Sequence, residues 1–333
     1  METQLRAKLE HRAVNTWSHD LSDRAIATAY SSAGDKYIAY ADGDLRQLFS
    51  FEGQYAYGDQ RIWQLLDAKL VSLRATGTEN LRVLDLGCGP GTWLRRVVTR
   101  ARSLGFKSIS ARGLDIADGQ IERARNLSND LALQDGVTLS FEVSDILRPF
   151  PEQNLSVDLC LCLCGVLNHL ETADHPKLLT EIARVTSGYF ITTVRTAGST
   201  PTVYVDAIER ARRFRQDNDT DQLNVEFQNG RHVSLHSHLF TAKELRSVVT
   251  PNLSIEDLLG LDLFHGRFAR DPRWNPPTTD QHSQFIQELD ELESLYCRDL
   301  EFMDHATHLL LVAKQQTFEA TRRSLEKVEA LQA

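Results

Sequence analysis

The chain has 333 residues, of which 41% are hydrophobic and 25% are charged, and this globular composition excludes a disordered protein. Its 37 Lys and Arg residues against 46 Asp and Glu residues give a net charge of −9, which argues against a nucleic-acid partner because phosphate binding needs clustered basic residues. The sequence has no apolar run of about 18 residues and its first residues are charged, so we expect a cytoplasmic protein with no membrane partner. Five cysteines, an odd number, predict no disulfide framework.

Residues 1–75 have the pattern of an N-terminal helical cap, with helix predicted over 25–30 and 62–73. From residue 76 to 314, short apolar runs alternate with helical patterns, which predicts parallel β-α-β units. The predicted strands are Arg82–Leu86, Ser110–Ile116, Val137–Val143, Val157–Cys164, Tyr189–Val194, Ile255–Leu263 and His308–Ala313. The predicted helices among them are Thr92–Ser103, Gly119–Leu131, Pro176–Val185 and Thr241–Val249.

Residues 196–240 exceed what a minimal doubly wound sheet needs, and we interpret them as an insertion. It is predicted to contain a helix over Val205–Arg215 and then a β-hairpin whose turn, Asn229-Gly230, is the dipeptide preferred where both turn residues have positive φ. The basic run at 210–215 precedes several aspartates, so we interpret it as a solvated helix face. Residues 264–304 include a long amphipathic helix, and 315–333 predict a polar C-terminal helix.

A glycine-rich loop follows the first predicted strand. Asp85 ends that strand, and Gly87, Gly89 and Gly91 precede the next helix, so a ligand can lie against bare backbone there. A dinucleotide-binding loop reads G-x-G-x-x-G and holds a pyrophosphate, whereas this loop reads G-x-G-x-G after a carboxylate. A carboxylate repels phosphate, so the pattern favours a ligand with an ammonium or sulfonium group and disfavours the alternative of an NAD(P)-dependent oxidoreductase.

The stretch 83–92 resembles motif I of the class I S-adenosylmethionine (SAM)-dependent methyltransferases, and the elements after it resemble the rest of that domain. The resemblance implies an α/β fold with a doubly wound, seven-stranded, Rossmann-like sheet whose last strand is antiparallel. It implies SAM as cofactor, with Asp115 accepting hydrogen bonds from the ribose hydroxyls and Asp145 accepting one from the adenine amino group. The other residues expected beside SAM are Asp85, Gly87, Gly89, Gly91, Ile116, Ile146, Cys164, Tyr57 and Arg61.

Three cysteines, Cys160, Cys162 and Cys164, alternate with leucines and are predicted on one face of a strand, in steps of about 6.6 Å. Zinc sites usually use C-x₂₋₄-C pairs in loops. We therefore interpret these cysteines as small apolar residues of a strand buried on both faces, and expect no metal.

The methyl acceptor is expected to be a small-molecule metabolite that presents an oxygen or nitrogen, with carbon less favoured. The candidate catalytic residues are His169, Tyr204 and His238, because a neutral imidazole can take a proton near pH 7. His169 could equally cap or pack beneath a helix. His238 shares a predicted strand face with His232 and His236, without carboxylates at metal-ligand spacing.

The acceptor pocket is predicted to form between the aromatic cap (Tyr37, Tyr40 and Tyr57), the loop at Asn168-His169 and the insertion. Two alternatives stay open. The insertion could instead form a homo-oligomer contact through Val225 and Phe227. A non-catalytic SAM-binding sensor or partner subunit would carry the same SAM motifs as an enzyme.

Overall fold

The computed structural model describes residues 26–28, 30–31, 47–51, 55–199, 211–268 and 279–316, and its centre is a seven-stranded sheet. The strand order is β3-β2-β1-β4-β5-β10-β9, in which the first five run parallel and β10 runs antiparallel to both of its neighbours. These strands are β1 (Asn80–Leu86), β2 (Ser108–Asp115), β3 (Val137–Val143), β4 (Val157–Cys162), β5 (Thr186–Arg195), β9 (Leu253–Leu261) and β10 (His308–Gln315). All seven predicted strands are confirmed, as is the antiparallel last strand.

Helices cover both faces of this sheet. They are α1 (Ala56–Ala75), α2 (Thr92–Ser103), α3 (Asp118–Ala132), α4 (His175–Val185), α5 (Ala242–Val249), α6 (His265–Phe268), α7 (Thr279–Tyr296) and α8 (Leu300–Met303). Residues 26–28 and 30–31 are also helical, and a 3₁₀ turn spans Val166–His169. Within the described residues, every helix is too short or too polar to cross a lipid bilayer.

The strands form the core because their side chains alternate between the two faces of the sheet. In β4, Leu159 and Leu161 pack on the face covered by α1 and α2, whereas Cys160 and Cys162 pack on the face covered by α4 and α5. The strand ends at Cys162, so Cys164 does not continue the row of thiols that the sequence predicted. Cys160 and Cys162 are fully buried, in agreement with their interpretation as small core residues.

The insertion is an antiparallel three-stranded sheet of β6 (Ala211–Asp217), β7 (Gln222–Phe227) and β8 (His232–His236). The helix predicted over Val205–Arg215 is therefore wrong for residues 211–215, and its first part lies outside the described residues. Arg and Ala favour a helix locally, but here β6 satisfies its backbone groups by pairing with β7, from Ala211 opposite Phe227 to Asp217 opposite Gln222.

The hairpin turn between β7 and β8 differs from the predicted two-residue turn. Only Gly230 has a positive φ, of 80°, and its N–H donates to the Phe227 carbonyl. Asn229 instead accepts a hydrogen bond from the Arg231 N–H through its side chain. The Phe227 N–H donates to the Arg231 carbonyl, so three residues, 228–230, lie between this pair where two were predicted, with a single left-handed glycine at the end.

The apolar face of the insertion packs inside the chain. Val225 and Phe227 are buried with Leu223 and Leu235 against Ile26 of the N-terminal helical residues and against Ile116. The alternative in which Val225 and Phe227 form an oligomer contact is therefore wrong, because folding within one chain already removes both side chains from water.

Asn168 joins the insertion to the main sheet. Its side-chain amide donates to the carbonyls of Arg195 and His238 and accepts from the Arg195 N–H, and its own carbonyl accepts from the His238 N–H. The residue is 1% exposed. All these groups are buried, so their hydrogen bonds cannot be replaced by bulk water when one is removed.

We expect Asn168→Ala to lower the free energy of unfolding by about 3 kcal/mol, because it leaves backbone groups of Arg195 and His238 buried without partners. Chemical denaturation is the measurement. The matched control is Asn126→Ala on the exposed face of α3, for which we expect a change within about 0.5 kcal/mol. Equal losses in the two variants would contradict this role of Asn168.

Candidate functional site

The glycine loop lies between β1 and α2 and takes a path that other residues cannot follow. Gly87 and Gly91 have φ values of 69° and 76°. A Cβ on Gly87 would lie 2.2 Å from Val166, and one on Gly91 would lie 2.7 Å from the Phe141 ring. Gly89 also has a positive φ, but a Cβ there would meet nothing within 4 Å. The loop is therefore packed at both ends and open to a ligand in its middle.

Asp85 is the last acidic residue of β1 before this loop, and it is 2% exposed. Its Oδ2 atom is buried without a hydrogen-bond partner in the described part of the chain. Burial, and then the nearby Asp115 carboxylate, raise the pKa of Asp85 well above its usual value. An unpaired buried carboxylate is costly, so this oxygen is stabilised by any ligand that brings a positive charge beside it.

Two cavities meet at the loop. Both are lined by Gly87, Gly89, Leu163 and Cys164, and their volumes are about 770 and 800 Å³. One lies toward β2 and β3, and we call it the β2-side cavity. The other lies toward β5, β10 and β9, and we call it the β10-side cavity. A ligand that crosses the loop can occupy parts of both.

The β2-side cavity contains the carboxylates that end β2 and follow β3. Asp115 accepts hydrogen bonds from the N–H groups of Gly89 and Ala117, both at 2.8 Å, one on each oxygen. Each oxygen keeps a further lone pair for a ligand hydroxyl. Burial raises the pKa of Asp115. Asp145 accepts from the Leu147 N–H through Oδ1, which leaves Oδ2 for a ligand.

Apolar and polar side chains complete this cavity. Ile116 and Ile146 provide apolar lining, as a flat aromatic ligand requires, and Tyr30, Gln120 and His169 provide polar groups. The Gln120 amide donates to the Tyr30 carbonyl at 2.8 Å, which ties the N-terminal helical residues to α3. Tyr30 and Gln120 could not be predicted as cavity residues from the sequence, because neither belongs to a local motif.

His169 lies in the β2-side cavity with both ring nitrogens engaged. Its Nδ1 is 3.0 Å from the His236 carbonyl, which can only accept, so Nδ1 carries the proton and Nε2 accepts from the Tyr30 hydroxyl at 2.8 Å. Burial lowers the pKa of His169 to about 4. The residue therefore stays neutral at physiological pH and links the N-terminal helical residues to the insertion.

The β10-side cavity is lined by one face of α1 and by the ends of β1, β5, β9 and β10. The α1 side is formed by Tyr55, the residue just before α1, and by Gly58, Asp59 and Ile62, which follow it at the helical spacing i+3, i+4, i+7. Asp85, Thr193, Asp262 and His308 also line it. The spacing on α1 could have been read from the sequence, whereas nothing local marks His308.

Cys164 lies between the two cavities in a backbone conformation that is unusual for its type. Its φ is 60°, its N–H donates to the Thr193 hydroxyl at 2.7 Å, and its side chain is exposed. The following Gly165 also has a positive φ, of 79°. Such a left-handed non-glycine residue costs about 1 kcal/mol and persists where the surrounding contacts impose it, which is typical of ligand sites.

The structure does not bring every candidate residue to the cavities. Tyr57 stacks on His265 with ring centroids 4.1 Å apart, and Arg61 donates to Gln64, so both lie off the α1 face that lines the β10-side cavity. The prediction that these two residues contact SAM therefore gains no support from the cavity lining, and no local signal in the sequence distinguishes residue 55 from residue 57. Tyr37, Tyr40 and Tyr204 lie outside the described residues.

His238 lines neither cavity. Its Nδ1 contacts the Asp221 carboxylate at 2.9 Å, and its Nε2 contacts the Glu244 carboxylate at 2.8 Å. It therefore joins the insertion to α5 rather than facing a ligand. His236 is likewise occupied, by the Leu170 carbonyl. Among the described residues, no cluster of three or more His, Cys, Asp or Glu side chains has the arrangement of a metal site.

We expect the stability of the protein to fall on acidification partly through His169. Between pH 7 and pH 5 the unfolded chain binds a proton at this residue, with the ordinary pKa of 6.5, while the folded chain, with its pKa of about 4, does not. Acidification over this range should therefore destabilise the wild type by about 2 kcal/mol more than His169→Asn. Denaturant titrations at both pH values measure the difference, and equal losses in the two proteins would contradict it.

A family model of methyltransferase domains matches residues 83–188, and no curated protein matches the chain. Among solved structures, magnesium protoporphyrin IX methyltransferase from Synechocystis PCC 6803 is 13% identical, with 88% of this chain and 97% of that chain covered and a TM-score of 0.48. Geranyl diphosphate C-methyltransferase from Streptomyces coelicolor A3(2) is 15% identical, with 89% and 98% covered and a TM-score of 0.47. The PH0226 protein from Pyrococcus horikoshii OT3 is 13% identical, with 84% and 96% covered and a TM-score of 0.46.

The matched range runs from β1 into β5 and contains the glycine loop, Asp115 and Asp145. Around it lies a seven-stranded sheet with an antiparallel strand at β10, as the sequence resemblance implied. The match favours a methyltransferase over the oxidoreductase alternative. Residues 83–188 thus match the family of methyltransferase domains, over the same stretch in which the sequence resembles the class I, SAM-dependent enzymes.

Proposed function

We propose that this enzyme transfers a methyl group from SAM to an oxygen or nitrogen of a small molecule, with the cofactor lying across the glycine loop. The observation that carries the proposal is the pair of cavities that meet at Gly87 and Gly89, with an unpaired buried oxygen of Asp85 on one side and the Asp115 carboxylate on the other. A ligand with a cationic end and a hydroxyl-bearing end fits this arrangement.

In this proposal the β2-side cavity holds the adenosine of SAM. Asp115 accepts hydrogen bonds from the ribose hydroxyls, since each of its oxygens keeps a free lone pair. Asp145 Oδ2 accepts from the adenine amino group, and Ile116 and Ile146 pack on the adenine ring. His169 and Tyr30 lie along the same cavity, which places His169 nearer the adenosine than the methyl group.

The methionine end of SAM lies on the other side of the loop. Asp85 stabilises its ammonium group, Gly89 leaves room for its chain, and Cys164 lies beside it. When bound, SAM supplies a methyl group on a sulfonium, which is already activated toward a nucleophile. The residues of the chain therefore have to position the acceptor in line with that methyl group and exclude water.

A small acceptor is supported by the enclosure of the β10-side cavity. It is closed on one side by α1 and beneath by the ends of β5, β9 and β10, and most of its lining residues are buried. An acceptor that shares this cavity with the methionine end has to fit between α1 and these strand ends, which favours a metabolite over a macromolecular segment.

The proposal predicts micromolar binding of SAM and S-adenosylhomocysteine by the purified chain, measured by titration calorimetry, and no binding of NADH. The test of catalysis is transfer of label from methyl-labelled SAM to a small-molecule metabolite extract, followed by mass spectrometry of the labelled product. Tight SAM binding with no transfer to any fraction would contradict the proposed reaction and favour a SAM-binding partner subunit.

We expect Asp115→Ala to weaken S-adenosylhomocysteine binding by about 1.5–3 kcal/mol, because it removes charge-assisted hydrogen bonds to the ribose. Calorimetry with the purified variant is the measurement, and circular dichroism confirms its fold. The matched control is Asp130→Ala at the exposed end of α3, which we expect to bind like the wild type. An unchanged dissociation constant for folded Asp115→Ala would show that Asp115 only supports the turn.

A further inference from the structure

His308 is the first residue of β10, and it lies opposite Arg195 of β5 and Leu261 of β9 in the sheet register. Because β10 is antiparallel to β5, its first residue lies at the edge where the parallel strands have their carboxyl ends. His308 therefore shares this edge with Asp85, and both residues line the β10-side cavity.

The strand order leaves room for an acceptor between the methyl donor and His308. Between β1 and β10 lie β4 and β5, so three strand spacings of about 4.8 Å separate the ends of β1 and β10 by about 14 Å. In the proposed function the methionine end of SAM lies over β1 and β4. The distance from the end of β4 to His308 is then two strand spacings, about 10 Å. An acceptor of a few bonded atoms fits that gap.

The environment of His308 leaves its ring free to act. The side chain is 8% exposed, yet neither ring nitrogen has a hydrogen-bond partner in the described part of the chain. The Tyr55 ring packs against it edge-on, with centroids 4.9 Å apart and planes at 86°, which fixes the ring orientation. Burial, and then the Arg195 guanidinium, lower the pKa of His308 to about 3, so the ring is neutral at physiological pH.

Four other titratable groups at the site are placed differently from His308. Asp85 stabilises the cofactor ammonium in the proposed function. The Cys88 thiol turns under the loop and donates to the Gly89 carbonyl. Asp262 lies against α1, where a Cβ on Gly58 would be 2.6 Å from its carboxylate. His169, the other neutral histidine at the site, lies in the β2-side cavity with both nitrogens engaged.

We propose that His308 is the catalytic base, which accepts the proton of an uncharged hydroxyl acceptor bound between Cys164 and Tyr55. This inference rests on the proposed function. The described residues that line the β10-side cavity include three aspartates and no Lys or Arg, so an anionic acceptor is disfavoured there.

A lone pair on the acceptor oxygen forms a bond to the methyl carbon, and the carbon–sulfur bond breaks with its electron pair going to sulfur. The oxygen becomes positively charged as this bond forms, so its proton becomes strongly acidic. The proton of the acceptor passes to the free ring nitrogen of His308, which becomes imidazolium. That proton then leaves to water when the products dissociate, which restores the neutral ring.

The first test locates His308 without measuring activity. Diethylpyrocarbonate modifies neutral imidazoles, and peptide mass spectrometry reports each histidine separately. We expect the modification rate of His308 in protein saturated with S-adenosylhomocysteine to lie within about threefold of its rate in the free protein. The reason is that the acceptor has to reach His308 while the cofactor is bound. Protection of His308 by more than about tenfold would place it beneath the cofactor and overturn the proposal.

The second test uses His308→Gln, with His305→Gln at an exposed position three residues earlier as the matched control. We expect His308→Gln to bind S-adenosylhomocysteine within about twofold of wild type and to lose at least about 100-fold in methyl transfer to the labelled extract fraction. The residual transfer rate of His308→Gln should rise with pH, because without the base the acceptor reacts only after it has lost its proton to water. The rate of His305→Gln should match the wild type.

The outcomes separate this inference from the proposed function. If wild type transfers no label while it binds SAM, the proposed function fails, and the modification experiment still decides whether His308 faces the acceptor side. If wild type transfers label and His308→Gln does so at the same rate, the assignment of the base to His308 is overturned while the proposed function stands.

Discussion

The path of the backbone from Leu86 to Gly91 is the constraint on which the site depends. Glycine is needed at Gly87 because Val166 of the loop after β4 approaches it, and at Gly91 because Phe141 of β3 approaches it. The same turn is tied to β2, where the Cys88 N–H donates to the Leu114 carbonyl and the Gly89 N–H donates to Asp115. One short loop therefore fixes the relative positions of the ends of four strands, and the two cavities lie on either side of it.

The insertion and the N-terminal helical residues reach this edge through a small set of polar contacts. Tyr30 donates to His169, and His169 donates to the carbonyl of His236 at the end of β8. Asn168 adds hydrogen bonds to both Arg195 and His238. Because these groups are buried, the contacts hold a rigid boundary on the β2-side cavity, and a ligand there meets side chains from three separate parts of the chain.

Much of the fold follows from local patterns in the sequence. The main-sheet strands and the helices among them could be predicted because each is an apolar run or an amphipathic stretch bounded by glycines and polar residues. β6 could not, since its residues favour a helix and become a strand only through pairing with β7. For the site, Asp85, Asp115 and Asp145 could be predicted because they lie at or just after the ends of predicted strands, and all three line the cavities. His308 could not, because its position at the β10-side cavity comes from the register of an antiparallel strand whose neighbours are distant in sequence.

The two cavities differ in which parts of the chain build them. The matched methyltransferase domain, residues 83–188, contains the glycine loop and nearly all of the β2-side lining, whereas Tyr55, Thr193, Leu261 and His308 of the β10-side lining all lie outside it. Substitutions at these four positions would change the β10-side cavity without changing the β2-side lining. Under the proposed function, a likeness confined to the matched domain therefore says more about the methyl donor than about the molecule that is methylated.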